Sequence, residues 1–189
     1  MQKKSVWREW VESILVALVL ALFIRTFIIQ AFKIPTGSMR MTLIEGDRIL
    51  VDKLSYGPKV PFTKIRLPGF SKPKRGDVVV FIYPEDTKRD FIKRLIAFGG
   101  ETVEIKDGRI YINGQMITEP PVKNIYYYNR GSFGAISQKI IVPKDSYFVL
   151  GDNSASSKDS RYWGFVPEGF LIGKADLIYW PIQRMRFIK

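Results

Sequence analysis

The chain contains no histidine and no cysteine. Without histidine there is no Ser-His-Asp triad, no Cys-His pair and no imidazole metal site. Without cysteine there is no thiolate nucleophile, disulfide, Fe–S cluster or cysteine zinc site. A covalent catalyst of this composition must draw both nucleophile and base from Ser, Thr or Lys. Acidic residues are also few: 18 Asp and Glu against 30 Lys and Arg leave a formal charge of +12 over 189 residues. Hydrophobic residues reach 46% and aromatics 14%, enough for a core and too apolar for a disordered chain. The length suits one domain, or one domain plus an anchor. The sequence shows no internal repeat.

The longest apolar run lies at the N-terminus. After a basic, aromatic start, Val11 to Phe32 is broken only by Glu12, Ser13, Arg25, Thr26 and Gln30. A helix of about 20 residues rises about 30 Å, the thickness of a bilayer core. Residues 1–32 are therefore expected to form a cytoplasmic N-terminus and one transmembrane helix. A span from Trp7 to Ile24 would place Trp7 and Trp10 in the inner aromatic belt and let Arg25 snorkel outward. Lys3, Lys4 and Arg8 precede the apolar run, so the positive-inside rule keeps the N-terminus in the cytoplasm and exports everything after Phe32. A cleaved signal peptide should end in an A-x-A-like pattern, whereas the run ends Ile29-Gln30-Ala31-Phe32-Lys33. A tethered basic domain is attracted to anionic lipid head groups. Export and the lack of a nucleic-acid motif argue against the other use of such charge.

Residues 33–189 read as short strands separated by turns. Asp47–Lys53, Asp77–Tyr83, Phe91–Phe98, Lys139–Val142, Tyr147–Leu150 and Leu177–Trp180 are β-branched or apolar runs bounded by Gly, Pro or charge. Thr102–Ile105 and Arg109–Ile112 flank a Lys106-Asp107-Gly108 hairpin turn, and Asn113-Gly114 supplies another. No long helical period follows Phe32. The expected fold is mainly β, with antiparallel sheets curled into a barrel or sandwich. Pro58–Pro73 reads as an exposed loop, and Tyr126-Tyr127-Tyr128 as a packed strand within an insertion.

Three segments can carry chemistry. Pro35-Thr36-Gly37-Ser38-Met39 follows the anchor directly, and Ser38 stands six positions after Phe32, at most about 20 Å of extended chain. Ser38 must lie near the outer membrane surface. On the strand Phe91–Phe98, Lys93 alternates with Phe91, Leu95 and Ala97, while Arg94 shares the other face with Ile92 and Ile96. Periodicity does not say which face is buried. A lysine among apolar neighbours loses pKa and can take a proton from serine, whereas arginine stays charged. The third segment runs from Gly151 and Asp152 through Ser157, Asp159 and Arg161 to Gly164. Its small residues make a loop that an Asp159–Arg161 ion pair could fix, and one of its serines could orient an amine.

Together, Pro35–Leu43, Gly46–Lys53, Arg75–Phe81, Lys93–Arg94 and Gly151–Glu168 resemble, in order, the motifs of type I signal peptidases. These are membrane-bound serine proteases that remove signal peptides from exported proteins. The resemblance covers nearly the whole chain and implies that Ser38 is the nucleophile and Lys93 the general base. It also implies that Thr36 joins the Ser38 N–H in the oxyanion hole and that Ser157 hydrogen-bonds the lysine. Gly151, Asp152, Asp159 and Arg161 then support the site. The implied enzyme uses no metal or other cofactor and cleaves signal-peptide-bearing preproteins after small residues through an acyl-enzyme. It sits in the plasma membrane or a thylakoid membrane, in contact with lipid. One departure is visible: the Gly-Leu-Pro-Gly-Asp-like turn common after the lysine reads Ala97-Phe98-Gly99-Gly100-Glu101 here. A self-cleaving serine–lysine protein, similar to the SOS repressors, would share the dyad but carry a DNA-binding domain and no span.

Overall fold

A computed structural model describes residues 6–61, 63 and 65–189. Lys3 and Lys4, which set the expected topology, lie outside the described residues. Helix α1 (Val6–Phe23) is 18 residues long, about 27 Å, and buries no residue against the body. Among the described residues it begins the one helical stretch, Val6–Ile28, long and apolar enough to cross a membrane. An apolar helix with no protein neighbour needs lipid to cover it.

The helix closes in a π-helical turn (Ile24–Ile28), and the chain passes directly into strand β1 (Ile29–Lys33). The expected division at residue 32/33 thus falls inside a strand of the body. Apolarity runs through the helix and on into β1, so composition alone marked no boundary between them.

The main sheet is antiparallel, in the order β1, β2 (Arg48–Asp52), β11 (Leu171–Trp180), β3 (Val78–Ile82), β4 (Asp90–Phe98), β9 (Ser146–Leu150) and β10 (Val166–Pro167). Strand β12 (Arg186–Phe187) adds to β11. A second sheet has the order β7 (Gln115–Met116), β6 (Arg109–Ile112), β5 (Thr102–Lys106) and β8 (Lys139–Ile141). Both Asx-Gly turns form as expected: Asp107 and Gly108, then Asn113 and Gly114, all have positive φ, the geometry of tight hairpin turns.

Alternation sorts the side chains. Val78 and Val80 enter one core with Ile34, Met39, Leu43, Ile49 and Ile178. Val79 and Phe81 enter another with Leu95, Tyr147, Val149 and Leu171. Both faces of the central strands are covered, which is why they read as unbroken apolar runs. A third core joins the small sheet (Val103, Ile105, Ile110, Ile112) to Ile96, Phe148 and Leu150.

Two expectations need correction. Leu177–Trp180 is only the end of β11, whose first half is masked in sequence by Gly173, Lys174 and Asp176. Tyr126–Tyr128 forms no strand: Tyr127 is buried and donates its N–H to the Gly108 carbonyl, while Tyr126 and Tyr128 are exposed. Pro58–Pro73 forms no strand among its described residues; its β structure is one isolated Lys59–Arg66 bridge.

Candidate active site

Strand β1 delivers the chain to Ser38. After Ile34, pinned by its N–H to the Asp47 carbonyl (2.8 Å), Thr36 is extended and Gly37–Met39 forms one turn of 3-10 helix. Met39 and Leu43 plug the core beneath and leave Ser38 half-buried at the rim. Thr36 is exposed beside it.

Strand β4 brings Lys93 and Arg94 from the sheet interior. The sequence left open which of these faces is buried, and both are: Lys93 is 3% exposed and Arg94 0%. The Lys93 Nζ lies 2.7 Å from Ser38 Oγ and 3.0 Å from the Ile92 carbonyl, neither of which is charged. The Phe91 ring lies 5.5 Å from the amine and is itself backed by Tyr83, stacked on it at 4.2 Å. Burial pulls the Lys93 pKa down to about 8; Asp159 and Asp152 oppose the shift from a distance, and Arg161 adds to it.

Arg94 meets the opposite fate. It grips Asp152 through two hydrogen bonds, Nε at 2.8 Å and Nη2 at 2.5 Å, with both side chains wholly buried. Thr42 donates its hydroxyl to the same carboxylate. The residue after Asp152 then holds the nucleophile turn: Asn153 donates its N–H to the Ser38 carbonyl (3.0 Å) and its side-chain amide to the Gly37 carbonyl (2.9 Å). Strand β4, the serine turn and the loop after β9 are thereby locked to one another.

The rest of that loop winds around Arg161. Its guanidinium donates to Asp159 through Nε and Nη2, both at 2.8 Å, and to the Ser154 hydroxyl, the Ser154 carbonyl and the Tyr128 carbonyl. Asp159 accepts the Gly151 N–H at 3.0 Å and, at the start of the short helix α2 (Ser160–Trp163), the Arg161 N–H. The tyrosine segment docks on the site's support through Tyr128. Gly151 is required by close approach: a Cβ there would stand 2.1 Å from Ser157 Oγ and 2.6 Å from the Ser38 carbonyl oxygen.

The fold brings Ser38 and Lys93 into contact, sets Gly151 and Asp152 against the serine turn and buries Asp159 with Arg161. Ser157 arrives beside Gly151, but its hydroxyl is buried with no hydrogen-bond partner and makes no bond to Lys93. Sequence reasoning missed Asn153, Thr42 and the role of Arg94. Arg94 was legible as the buried-face alternative to Lys93, yet nothing local tied it to an aspartate 58 residues away. Among the described residues, no group of acidic side chains is arranged to hold a metal ion.

The model of the family described as "Signal peptidase, peptidase S26" matches residues 7–180. A signal peptidase I of Leptolyngbya laminosa is 40% identical over 184 residues, covering 94% of this chain and 81% of that protein. The signal peptidase I T of Bacillus subtilis is 34% identical over 197 residues, covering 100% and 93%. The signal peptidase I of Pseudomonas aeruginosa is 32% identical over 219 residues, covering 98% and 77%. A match of this extent places the molecule: it belongs to the signal peptidase family, peptidase S26, serine peptidases that remove signal peptides from preproteins.

Proposed function

We propose that this chain is a membrane-anchored endopeptidase in which Ser38 is the nucleophile and Lys93 the general base. The observation that carries the reading is the 2.7 Å approach of the Lys93 amine to the Ser38 hydroxyl, inside a site that has withdrawn the amine from water and given it no carboxylate partner. A neutral amine at that distance is within reach of the proton it must take.

Ser38 Oγ attacks the scissile carbonyl carbon as its proton passes to Lys93. The oxyanion forms beside Thr36, whose hydroxyl and the Ser38 N–H are its assigned donors; one such donor is worth about 3 kcal/mol. The C–N bond breaks as the Lys93 ammonium protonates the leaving amine, and the acyl group stays on Ser38. Neutral Lys93 then takes a proton from water, whose oxygen attacks the ester carbonyl. The ammonium returns the proton to Ser38 Oγ as the acid leaves. An ammonium has three donors, and Ser38 and Ile92 take two. The third is assigned to Ser157, whose hydroxyl is buried beside Gly151 without a partner.

Helix α1 is the anchor, with the N-terminus in the cytoplasm and the body outside. The exposed apolar helix supports the anchor, and the basic Lys3 and Lys4 ahead of it, with Arg8 in its first turn, support this orientation. Ser38 then sits near the lipid surface, where the apolar helix of a signal peptide ends and its cleavage region unwinds. The extended segment can pair with an exposed strand edge, and small subsites accept small residues one and three positions before the cut. No metal or nucleotide enters.

The test uses full-length protein in liposomes with a preprotein substrate. Ser38→Ala and Lys93→Ala should each abolish processing while keeping the cooperative unfolding transition of the parent. Parental turnover by a folded Lys93→Ala protein would overturn the assigned base.

A further inference from the structure

Lys53 lies outside the site described above and holds the end of the anchor. It follows β2, and its backbone N–H donates to the Ile28 carbonyl at 3.0 Å, extending the β1–β2 ladder by one bond. Its side chain then turns back along β1, and Nζ donates to the carbonyls of Arg25 (3.0 Å) and Thr26 (3.3 Å). These belong to the π-helical turn Ile24–Ile28 that closes the helix, where carbonyl groups run out of intrahelical donors and the helix dipole is negative. Asp52 frees the lysine for this work: its carboxylate accepts the N–H groups of Leu54 and Ser55 and turns the following chain away.

The ammonium is a natural partner for those carbonyls, and at the junction it adds to the Lys53 N–H bond to Ile28 and the Phe23–Phe27 ring contact. The helix passes into β1 with no linker, so the angle between anchor and sheet depends on the π turn itself. Thr26, Gln30 and Lys53 line a cavity of about 150 Å3 facing Leu171 and Ile172, so side-chain packing there is incomplete. Desolvation and the nearby Arg25 push the Lys53 pKa down while Asp90 holds it up.

We propose, on the reading of α1 as anchor and Ser38 as nucleophile, that Lys53 is a positioning residue: by clamping the Arg25 and Thr26 carbonyls it fixes the anchor against the sheet and sets the depth at which Ser38 meets a substrate held in the membrane. The same strand β1 runs from the clamp to the serine turn, so a tilt at the helix end is transmitted to Ser38 along five paired residues. A substrate free in solution has no depth to match and does not depend on the clamp.

Full-length Lys53→Met in liposomes tests this with two substrates and one distance. Cleavage of a membrane-inserted preprotein should fall about tenfold in kcat/KM, while hydrolysis of a short soluble peptide spanning the same cleavage site stays within about twofold. Lys53→Arg should restore much of the preprotein rate. Because the chain has no native cysteine, spin labels at Ser13→Cys on α1 and Gln115→Cys on β7 report the anchor–body distance cleanly. That distribution should be narrow in the parent and broad in Lys53→Met; Lys53→Ala, which also removes the donor, serves if the methionine variant fails to fold. A distribution as narrow as the parent's, an equal loss on both substrates, or unchanged preprotein cleavage would each overturn the assignment. Ser38→Ala, run alongside, separates the two layers: cleavage surviving there would overturn the nucleophile itself.

Discussion

Two regions of the same interior treat a buried cation in opposite ways. Around Arg94 and Arg161 the fold supplies carboxylates, Asp152 and Asp159, at hydrogen-bond distance and with both members of each pair sealed from water. Around Lys93, one residue along the strand from Arg94, it supplies a hydroxyl, a carbonyl and an aromatic ring. The paired cations are struts that keep their charge. The unpaired one is driven toward neutrality, which is the property a base needs. Burial alone therefore does not make a cation a base; burial with the counter-charge withheld lowers the pKa of the amine, as a base requires.

The most severe way to break the contrast is to put the wrong cation in the unpaired place. Lys93→Arg keeps a long basic side chain but cannot give up its proton, and no carboxylate stands ready to pair it. Preprotein cleavage should fall by about 10⁴-fold, the scale of losing a member of a serine-hydrolase catalytic group. Single-turnover assays with a quenched substrate check it, and activity within tenfold of the parent would mean that proton transfer does not run through this amine.

Next in size is the loss of a counter-charge from the paired region. Asp159→Ala leaves Arg161 sealed and unpaired, and breaking a buried pair in this way costs about 3–5 kcal/mol. Denaturant unfolding should show a drop of that order. Asp159→Ala combined with Arg161→Met should recover much of it, because the stranded charge is removed. A double variant no better than the single one would show that the loss comes from the loop's hydrogen bonds, such as the Gly151 N–H, rather than from the charge.

The contrast also explains what the sequence could and could not disclose. Strands such as Val78–Ile82 and the hairpin at Asp107-Gly108 were legible because composition and turn chemistry are local. Ser38 and Lys93 were legible as a pair through the resemblance, not through spacing, since 55 residues separate them. Burial of Lys93 was not legible: alternation gives two faces, and only a sheet covered on both sides buries Lys93 and Arg94 together. The start of β1 was hidden by the apolar run that precedes it. The unpartnered Ser157 hydroxyl and the Asn153 grip on the serine turn depend on how distant loops meet, which no local pattern records.

A third variant turns the withheld counter-charge into a stability measurement. The folded pKa of Lys93, about 8, lies below its ordinary value of 10.5, a gap worth roughly 3 kcal/mol. Below pH 8 the lysine is protonated folded and unfolded, and the folded state bears the whole cost. As pH rises from 8 to 10.5 the folded state is neutral while the unfolded state still binds the proton, and the cost disappears. Lys93→Met should therefore be inactive yet more stable than the parent by up to about 3 kcal/mol at pH 7, with the gap closing toward pH 10.5. Chemical denaturation of both proteins across pH 7–10.5 measures it, and a gap independent of pH would mean that the lysine is not charged at cost in the folded state.

The mildest test leaves the protein unaltered. If neutral Lys93 is the base, kcat/KM should climb about tenfold per pH unit on the acid side and level off once most of the amine has lost its proton, with a midpoint near 8. At pH 7 the enzyme would then run at about a tenth of its plateau rate, a handicap of about 1.4 kcal/mol. An ordinary lysine would move the midpoint beyond pH 10 and leave almost no activity at neutrality. A profile flat from pH 6 to 9 would place the titrating base elsewhere, and the distinction between the paired arginines and the unpaired lysine would lose its functional meaning. The position of this single midpoint thus reads out, in the intact protein, how completely the fold has stripped water and counter-charge from one amine.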